Sequence, residues 1–259
     1  MTKGISLAIL LVLSGIGWMQ LYAEDEGESL DVRGGYRECR ISEYEVGSSG
    51  ETNLTHTYRR YYTPAGRILS NLIFEYYENV HPSYTVAYTY DSENRLISRV
   101  ESVFQSNRTV PQEEYSFAYS YGSGKDPLEC VEEKGGADTG KRTVFRYDTF
   151  GRLSGISFFD AEGKEMYRQD YQYDLFGHRS ETLHYSPDGK LLFTLKHKQY
   201  NRDDREGTSM YSSYGTLSTR YLRKTDMKKN ALAEYEFRVT EEGDKMKETL
   251  TVFRNFSYR

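Results

Sequence analysis

The chain has 259 residues, of which only 37% are hydrophobic, while 15% are aromatic and Tyr alone fills 25 positions. So many aromatics exclude plain disorder, and so few aliphatics exclude a thick aliphatic core, which leaves a thin, broad structure with Tyr rings covering a surface and their hydroxyls wet. The formal charge of −5 is small and mixed and gives no footing for a nucleic-acid partner, and the interrupted run Arg220 to Lys229 reads as a solvated strand pair.

Lys3 and the apolar run Ile5 to Met19 open the chain, and Leu21-Tyr22-Ala23 closes it ahead of Glu24-Asp25-Glu26. This order predicts a cleavable signal peptide over residues 1–23. The run is shorter than the roughly 20 residues a spanning helix wants, so a retained anchor is the lesser alternative. No second hydrophobic span follows, and no cysteine sits where lipid attachment needs one. Residues 24–50 read as a lead-in, with the loop Gly47-Ser48-Ser49-Gly50 at its end, and residues 51–259 as one repeat domain. Cys39 and Cys130 are the only cysteines. In an oxidising compartment such a pair suggests a disulfide, although two separate thiols fit equally; their spacing matches no zinc pattern.

From residue 60 the chain repeats. Arg60-Tyr61-Tyr62-Thr63-Pro64-Ala65-Gly66-Arg67-Ile68 is followed by Tyr88-Thr89-Tyr90-Asp91-Ser92-Glu93-Asn94-Arg95-Leu96. Then come Phe145-Arg146-Tyr147-Asp148-Thr149-Phe150-Gly151-Arg152-Leu153 and Tyr171-Gln172-Tyr173-Asp174-Leu175-Phe176-Gly177-His178-Arg179. The anchors Tyr62, Tyr90, Tyr121, Tyr147, Tyr173 and Tyr200 recur every 26 to 31 residues, with weaker turns half-way at Asp160 to Lys164 and Ser186 to Lys190. Asp91, Asp148 and Asp174 can each accept from a backbone N–H two residues on, closing an Asx-turn. Asn94, Gly151 and Gly177 supply the positive φ that a type I turn with a bulge requires. Between turns the pattern alternates: Tyr84, Val86, Tyr88 and Tyr90 share one face, as do Tyr115, Phe117, Tyr119 and Tyr121. That alternation predicts half-buried antiparallel strands. A short helix over Lys228 to Glu236 is the one helical patch on offer.

The motif Y-x-Y-D-x-x-G-R-L at residues 88–96, 145–153 and 171–179 resembles the YD repeats of bacterial Rhs proteins and teneurins, over about residues 58–215. The resemblance implies an all-β antiparallel meander of Tyr-rich hairpins forming an extended, twisted or curled sheet, with roles in surface display or adhesion. The repeats look too few to close a shell, and no toxin domain or self-cleaving segment accompanies them, so encapsulation is not implied.

No enzyme motif survives inspection. Gly135-Gly136-Ala137-Asp138-Thr139-Gly140-Lys141 matches a phosphate loop only until Arg142, where Ser or Thr is needed, and a hairpin loop is expected instead. His56, His81, His178, His184 and His197 lack ligand spacing. The acidic cluster Asp203, Asp204 and Glu206 lacks the alternating oxygens of a calcium loop. Asn53, Asn107 and Asn255 begin glycosylation sequons that carry little weight in a bacterial chain. The expectation is therefore no catalytic residue, no metal and no cofactor. The one surface with binding potential is the aromatic face Tyr88, Tyr90, Tyr119, Tyr121, Tyr147, Tyr171 and Tyr173, which serves either as strand packing or as a platform for sugars or peptides. The chain thus reads as an exported, non-enzymatic structural or interaction module of the bacterial envelope. Its expected place is the periplasm, the outer-membrane surface or the outside, with an unknown envelope protein or polysaccharide as partner. An outer-membrane β-barrel and an enzyme with a dispersed active site are the alternatives.

Overall fold

The computed structural model describes residues 31–75, 81–104, 109–124, 126–200, 205–242 and 245–259; the segment read as a signal peptide lies outside them. The strands are β1 Glu38–Val46, β2 Thr52–Tyr62, β3 Ile68–Glu75, β4 Tyr84–Tyr90, β5 Leu96–Val103, β6 Glu113–Tyr121, β7 Pro127–Lys134 and β8 Ala137–Tyr147. They continue as β9 Leu153–Phe159, β10 Glu165–Tyr173, β11 Arg179–Tyr185, β12 Leu191–Tyr200, β13 Arg205–Ser212, β14 Leu217–Thr225, β15 Ala231–Glu242 and β16 Lys245–Tyr258. Each pairs antiparallel with the next, and β16 pairs with β1, so the meander closes into a barrel. At that seam Cys39 opposes Tyr258 and Glu45 opposes Val252.

Closure overturns the open, extended or curled sheet expected from sequence. Two physical features account for the difference. The segment read as a lead-in contains β1, the strand that supplies the seam. The hairpins also carry register shifts at the strand ends, at Tyr61/Tyr62, Thr89/Tyr90, Ser120/Tyr121, Arg146/Tyr147, Gln172/Tyr173 and Lys224/Thr225. The half-way hairpins carry more, at Glu165/Tyr167, His184/Tyr185 and Met210/Tyr211. A bulge bends its strand and raises the local right-handed twist, and their sum curls the sheet until its ends meet. The helix expected over Lys228 to Glu236 does not form either. Asp226 to Asn230 makes a turn and Ala231 begins β15, because tertiary pairing overrides weak local propensity.

A meander alternates its turns between two mouths. The main repeat turns, at 63–67, 91–95, 148–152, 174–178 and 226–230 and Asp-type in all but the first, fall at one mouth, the Asp-turn mouth, and the half-way turns, that of Asp160 among them, fall at the other. Asp148 shows the chemistry: its Oδ1 accepts from the N–H of Phe150 at 2.9 Å and of Arg152 at 2.9 Å, while Gly151 sits at φ 77°. At that φ a branched residue is strained. Gly151→Val or Gly177→Val is expected to lower stability by about 1–2 kcal/mol, whereas Gly47→Val, where φ is not positive and only the flexible Glu51 side chain stands in the way, should be nearly silent. Denaturant midpoints check this, and equal losses at all three would mean misassigned turns.

Directly opposed residues share a face, and the inner face is the one holding the buried side chains. It carries Val86, Phe117, Phe145, Ile156, Tyr167 and Tyr171. The apolar core is not one mass: one cluster runs over β6–β10, a second joins β1–β3 with Val32, and Tyr84 with Val86 forms a third. Residues 31–37 cross the seam at the Asp-turn mouth. Val32 donates its N–H to the Gly66 carbonyl at 2.9 Å. The Arg33 backbone is held from both sides by the buried Asn230 amide, at 2.8 Å each. Asp31 meets Arg67 at 2.8 Å, and Tyr36 packs on Tyr258 with ring centroids 5.0 Å apart.

Candidate functional site

Each repeat residue has a structural task at the Asp-turn mouth. The Arg that ends one turn grips its own Asp, as Arg95 does Asp91 at 2.7 Å and Arg152 does Asp148 at 2.7 Å. The same guanidinium then lies over the Tyr ring of the following repeat: Arg67 over Tyr90 at 5.9 Å, Arg95 over Tyr121 at 5.1 Å and Arg152 over Tyr173 at 4.4 Å. The tyrosine hydroxyl donates back to the preceding repeat. Tyr121 reaches the Leu96 carbonyl at 2.5 Å, Tyr147 that of Pro127 at 2.7 Å, and Tyr173 that of Leu153 at 2.7 Å. Asp174 holds the N–H groups of Phe176 and His178, both at 2.9 Å, without an arginine, and Asn94 takes φ 61° in place of glycine. The motif is thus a ladder that ties each hairpin to its neighbour, with cation–π and hydrogen-bond contributions of roughly 0.5–1.5 kcal/mol each.

The aromatic face read from sequence therefore lies on the inner wall. Tyr119 and Tyr171 are buried, with Tyr171 donating to Gln169 Oε1 at 2.6 Å, and Tyr88, Tyr90, Tyr121, Tyr147 and Tyr173 are half-buried. Burial pushes the Tyr90 phenol up to about 12, so it stays neutral and able to donate. The wet hydroxyls expected from composition are instead largely spoken for by main-chain and side-chain acceptors. Cys39 and Cys130 are not bridged: they lie on β1 and β7, with β2 to β6 between them, and both are buried. Burial pushes the Cys39 thiol up to about 11, which keeps it a poor nucleophile.

Charges that the sequence did not mark as a group line the inner wall. Arg223, Glu234, Arg254, Glu43 and His56 oppose one another in turn across β14, β15, β16, β1 and β2. Arg223 meets Glu234 at 2.9 Å, Arg254 meets Glu43 at 2.5 Å, and His56 Nδ1 lies 3.0 Å from Glu43. Burial alone would raise the Glu43 carboxyl, but the His56 hydrogen bond and the Arg254 charge outweigh it and hold Glu43 down at about 2. A second pair, Arg99 with Glu101 at 3.0 Å, is almost fully enclosed; Tyr84 donates to Glu101, and Arg99 stacks on Phe117 at 4.3 Å. Glu132 binds Lys141 at 3.1 Å. His184 stacks on Phe193 with centroids 4.0 Å apart and shares its Nδ1 with the Tyr167 hydroxyl.

The outer face differs around the circumference. Over β7–β12 it carries ion pairs: Glu129 with Arg142 at 3.5 Å, Asp170 with Arg146 at 2.6 Å, and Glu181 with Lys196 at 3.4 Å. Arg146 reaches Asp170 across Gly155 of β9, where any Cβ would meet the guanidinium. Over the seam a mid-strand row of the outer face is apolar instead, with Leu222, Tyr235, Phe253, Tyr44 and Leu54 directly opposed on five neighbouring strands, while the ion pairs Arg40 with Glu38 and Arg220 with Glu248 flank that row on the same face. At mid-strand the seam quadrant is thus charged inside and apolar outside, and the wall opposite is aromatic inside and charged outside. A residue-by-residue alternation reads the same from either side, which is why the sequence did not reveal the inversion.

Among the described residues no group of three or more His, Cys, Asp or Glu is placed to hold a metal ion. Gly135 and Gly136 form the tight turn between β7 and β8. Asp203 and Asp204 lie outside the described residues, as does Asn107; Asn53 sits in β2 and Asn255 in β16. No helix among the described residues is long and apolar enough to cross a membrane, which leaves strands aside.

Fold and wall together define a closed antiparallel β-barrel of sixteen strands. No protein-family model matches the chain and no curated protein matches it. Among solved structures it is similar to a porin-like protein from Bacteroides uniformis ATCC 8492, at 9% identity and a TM-score of 0.38, over 87% of this chain and 98% of that one. It is also similar to TcdB2-TccC3, at 14% identity and a TM-score of 0.31, over 82% of this chain but only 13% of that one. A protein of unknown function from Bacteroides fragilis NCTC 9343 follows at 12% identity and a TM-score of 0.18. Overlaps this loose leave the function to be argued from the chain's own residues.

Proposed function

We propose that the chain is an exported, non-enzymatic β-barrel that stands in water and serves the cell envelope as a structural or interaction module. The observation that carries this reading is the outer face of β7–β12. An Arg or Lys facing lipid at the bilayer midplane costs about 2–4 kcal/mol, and Arg142, Arg146 and Lys196 all stand there with their acidic partners. The ladder of Asp, Arg and Tyr supports a scaffold role, since its polar groups are engaged in holding hairpins together. The resemblance of that ladder to YD repeats, and the signal-like N-terminus, support export to the envelope; a protein or polysaccharide is the partner class this reading favours.

A second reading, an outer-membrane barrel, is favoured by two observations: closure leaves no open edge, as a spanning sheet requires, and at mid-strand the seam quadrant has the apolar-out, charged-in arrangement of a lipid-facing wall. The two readings separate in one experiment. Produced without residues 1–23, the chain is expected to be soluble without detergent, with a β-rich far-UV spectrum and one gel mobility before and after boiling. Folding only in micelles, with a heat-dependent mobility shift, would establish the membrane barrel instead.

A further inference from the structure

The tips of such turns face solvent and are ordinarily polar, as exposed Ser92 and Glu93 are in the turn 91–95. Three of the other turns carry apolar side chains there instead. Phe150 is 82% exposed, Phe176 86%, Leu175 101% and Met227 94%. Phe150 and Phe176 occupy the same place in D-T-F-G and D-L-F-G, on hairpins β8–β9 and β10–β11, which are next to each other around the rim. At about 4.8 Å per strand, the two tips stand on the order of 10 Å apart. Leu69, Ile97 and Leu128, partly exposed at the starts of β3, β5 and β7, widen the apolar rim at the same mouth. The exposed large hydrophobics of the other mouth are scattered, with Val110 and Tyr214 on separate connections and Leu192 and Met246 at the starts of β12 and β16.

From this arrangement we infer that the Asp-turn mouth is a membrane-docking rim, which seats the barrel on a lipid surface by inserting its Phe, Leu and Met tips; the inference rests on the water-facing barrel proposed above. Two observations favour lipid as the occupant. The tips project from tight turns, separated by polar residues, so they offer points for shallow insertion into the interfacial region and no groove for a chain to lie in. Met227 is followed by exposed Lys228 and Lys229, and cations beside an apolar tip add attraction to anionic headgroups.

The test is co-sedimentation of the chain lacking residues 1–23 with vesicles of phosphatidylcholine, with and without phosphatidylglycerol. The expected result is binding that strengthens with phosphatidylglycerol and weakens about tenfold or more in the combined variant Phe150→Ser, Leu175→Ser, Phe176→Ser. Tyr214→Ser, on the opposite mouth, should bind as the parent does. All four side chains are almost fully exposed, and an unchanged far-UV spectrum confirms that the fold is kept. A soluble, folded parent that binds neither vesicle overturns the docking rim and leaves the water-facing barrel standing. Equal binding by parent and combined variant also overturns it. A parent that resists alkaline extraction from the vesicles is integral, which overturns both.

Discussion

Replacing Gly66 with Ala should cost the barrel about 2 kcal/mol more than the same change at Gly151. Both glycines hold left-handed backbone, at φ 87° and φ 77°, so both substitutions carry a strain of about 1–2 kcal/mol. They differ in what lies above them. Nothing stands within 4 Å of a Cβ at Gly151, whereas a Cβ at Gly66 overlaps the Val32 carbonyl oxygen. That oxygen is backbone and cannot step aside without lifting residues 31–37. Lifting them exposes Val32, parts Asp31 from Arg67, and leaves the buried Asn230 amide without the Arg33 backbone. An orphaned buried amide alone costs about 1–3 kcal/mol. Urea midpoints give the difference, and hydrogen exchange shows where it acts: amides of β1 and β16 should exchange faster in Gly66→Ala than in Gly151→Ala. Equal losses at the two glycines would mean that residues 31–37 do not hold the seam.

The repeats were legible because their chemistry is local. Asp148, Gly151 and Arg152 lie within five residues, and the hydrogen bonds that close the turn join those same residues. Strand direction and the alternation of Tyr84, Val86, Tyr88 and Tyr90 follow from the same short range. Closure was not legible, because it depends on the summed twist of many bulges and on β1 meeting β16, more than two hundred residues away. Cys39 sits in that seam strand, so its distance from Cys130 depends on the same closure.

The wall's chemistry was hidden for a related reason. Alternation says which residues share a face without saying which face is inside. Tyr173 and Arg152 were each visible as repeat residues, yet the contact between them joins consecutive repeats and needs the pairing register to be seen. The row from Arg223 to His56 draws one residue from each of five strands, and no spacing in the chain marks it. The apolar tips did leave a signal. Phe150 and Phe176 stand where a turn of this type ordinarily presents a polar side chain, and that mismatch between turn chemistry and residue type was readable from the first.

Stability should fall steadily as the pH drops below about 6.5, and His184 is the reason. Burial, helped by the charge of His197, holds its imidazole down at about 3, against an ordinary value near 6.5 in the unfolded chain. Between those two values the unfolded chain takes up a proton that the folded barrel refuses. Stability is therefore full above about pH 6.5 and is lost as the pH falls toward 3, with a limiting slope of about 1.4 kcal/mol per pH unit for one such group. Glu43 adds a second, lower limb. Its depressed carboxyl gives stability that is present above about 4.5 and lost as the pH falls toward 2. Urea midpoints across pH 3–8 separate the two. His184→Gln keeps an acceptor for the buried Tyr167 hydroxyl but does not titrate, so its profile should be flat from pH 6.5 to about 4.5 and fall only below that. Glu43→Gln should do the reverse, keeping the upper limb and losing the lower one. A His184→Gln profile as steep as the parent's above pH 5 would place the titrating group elsewhere and show that the imidazole is not kept neutral by the aromatic wall around it.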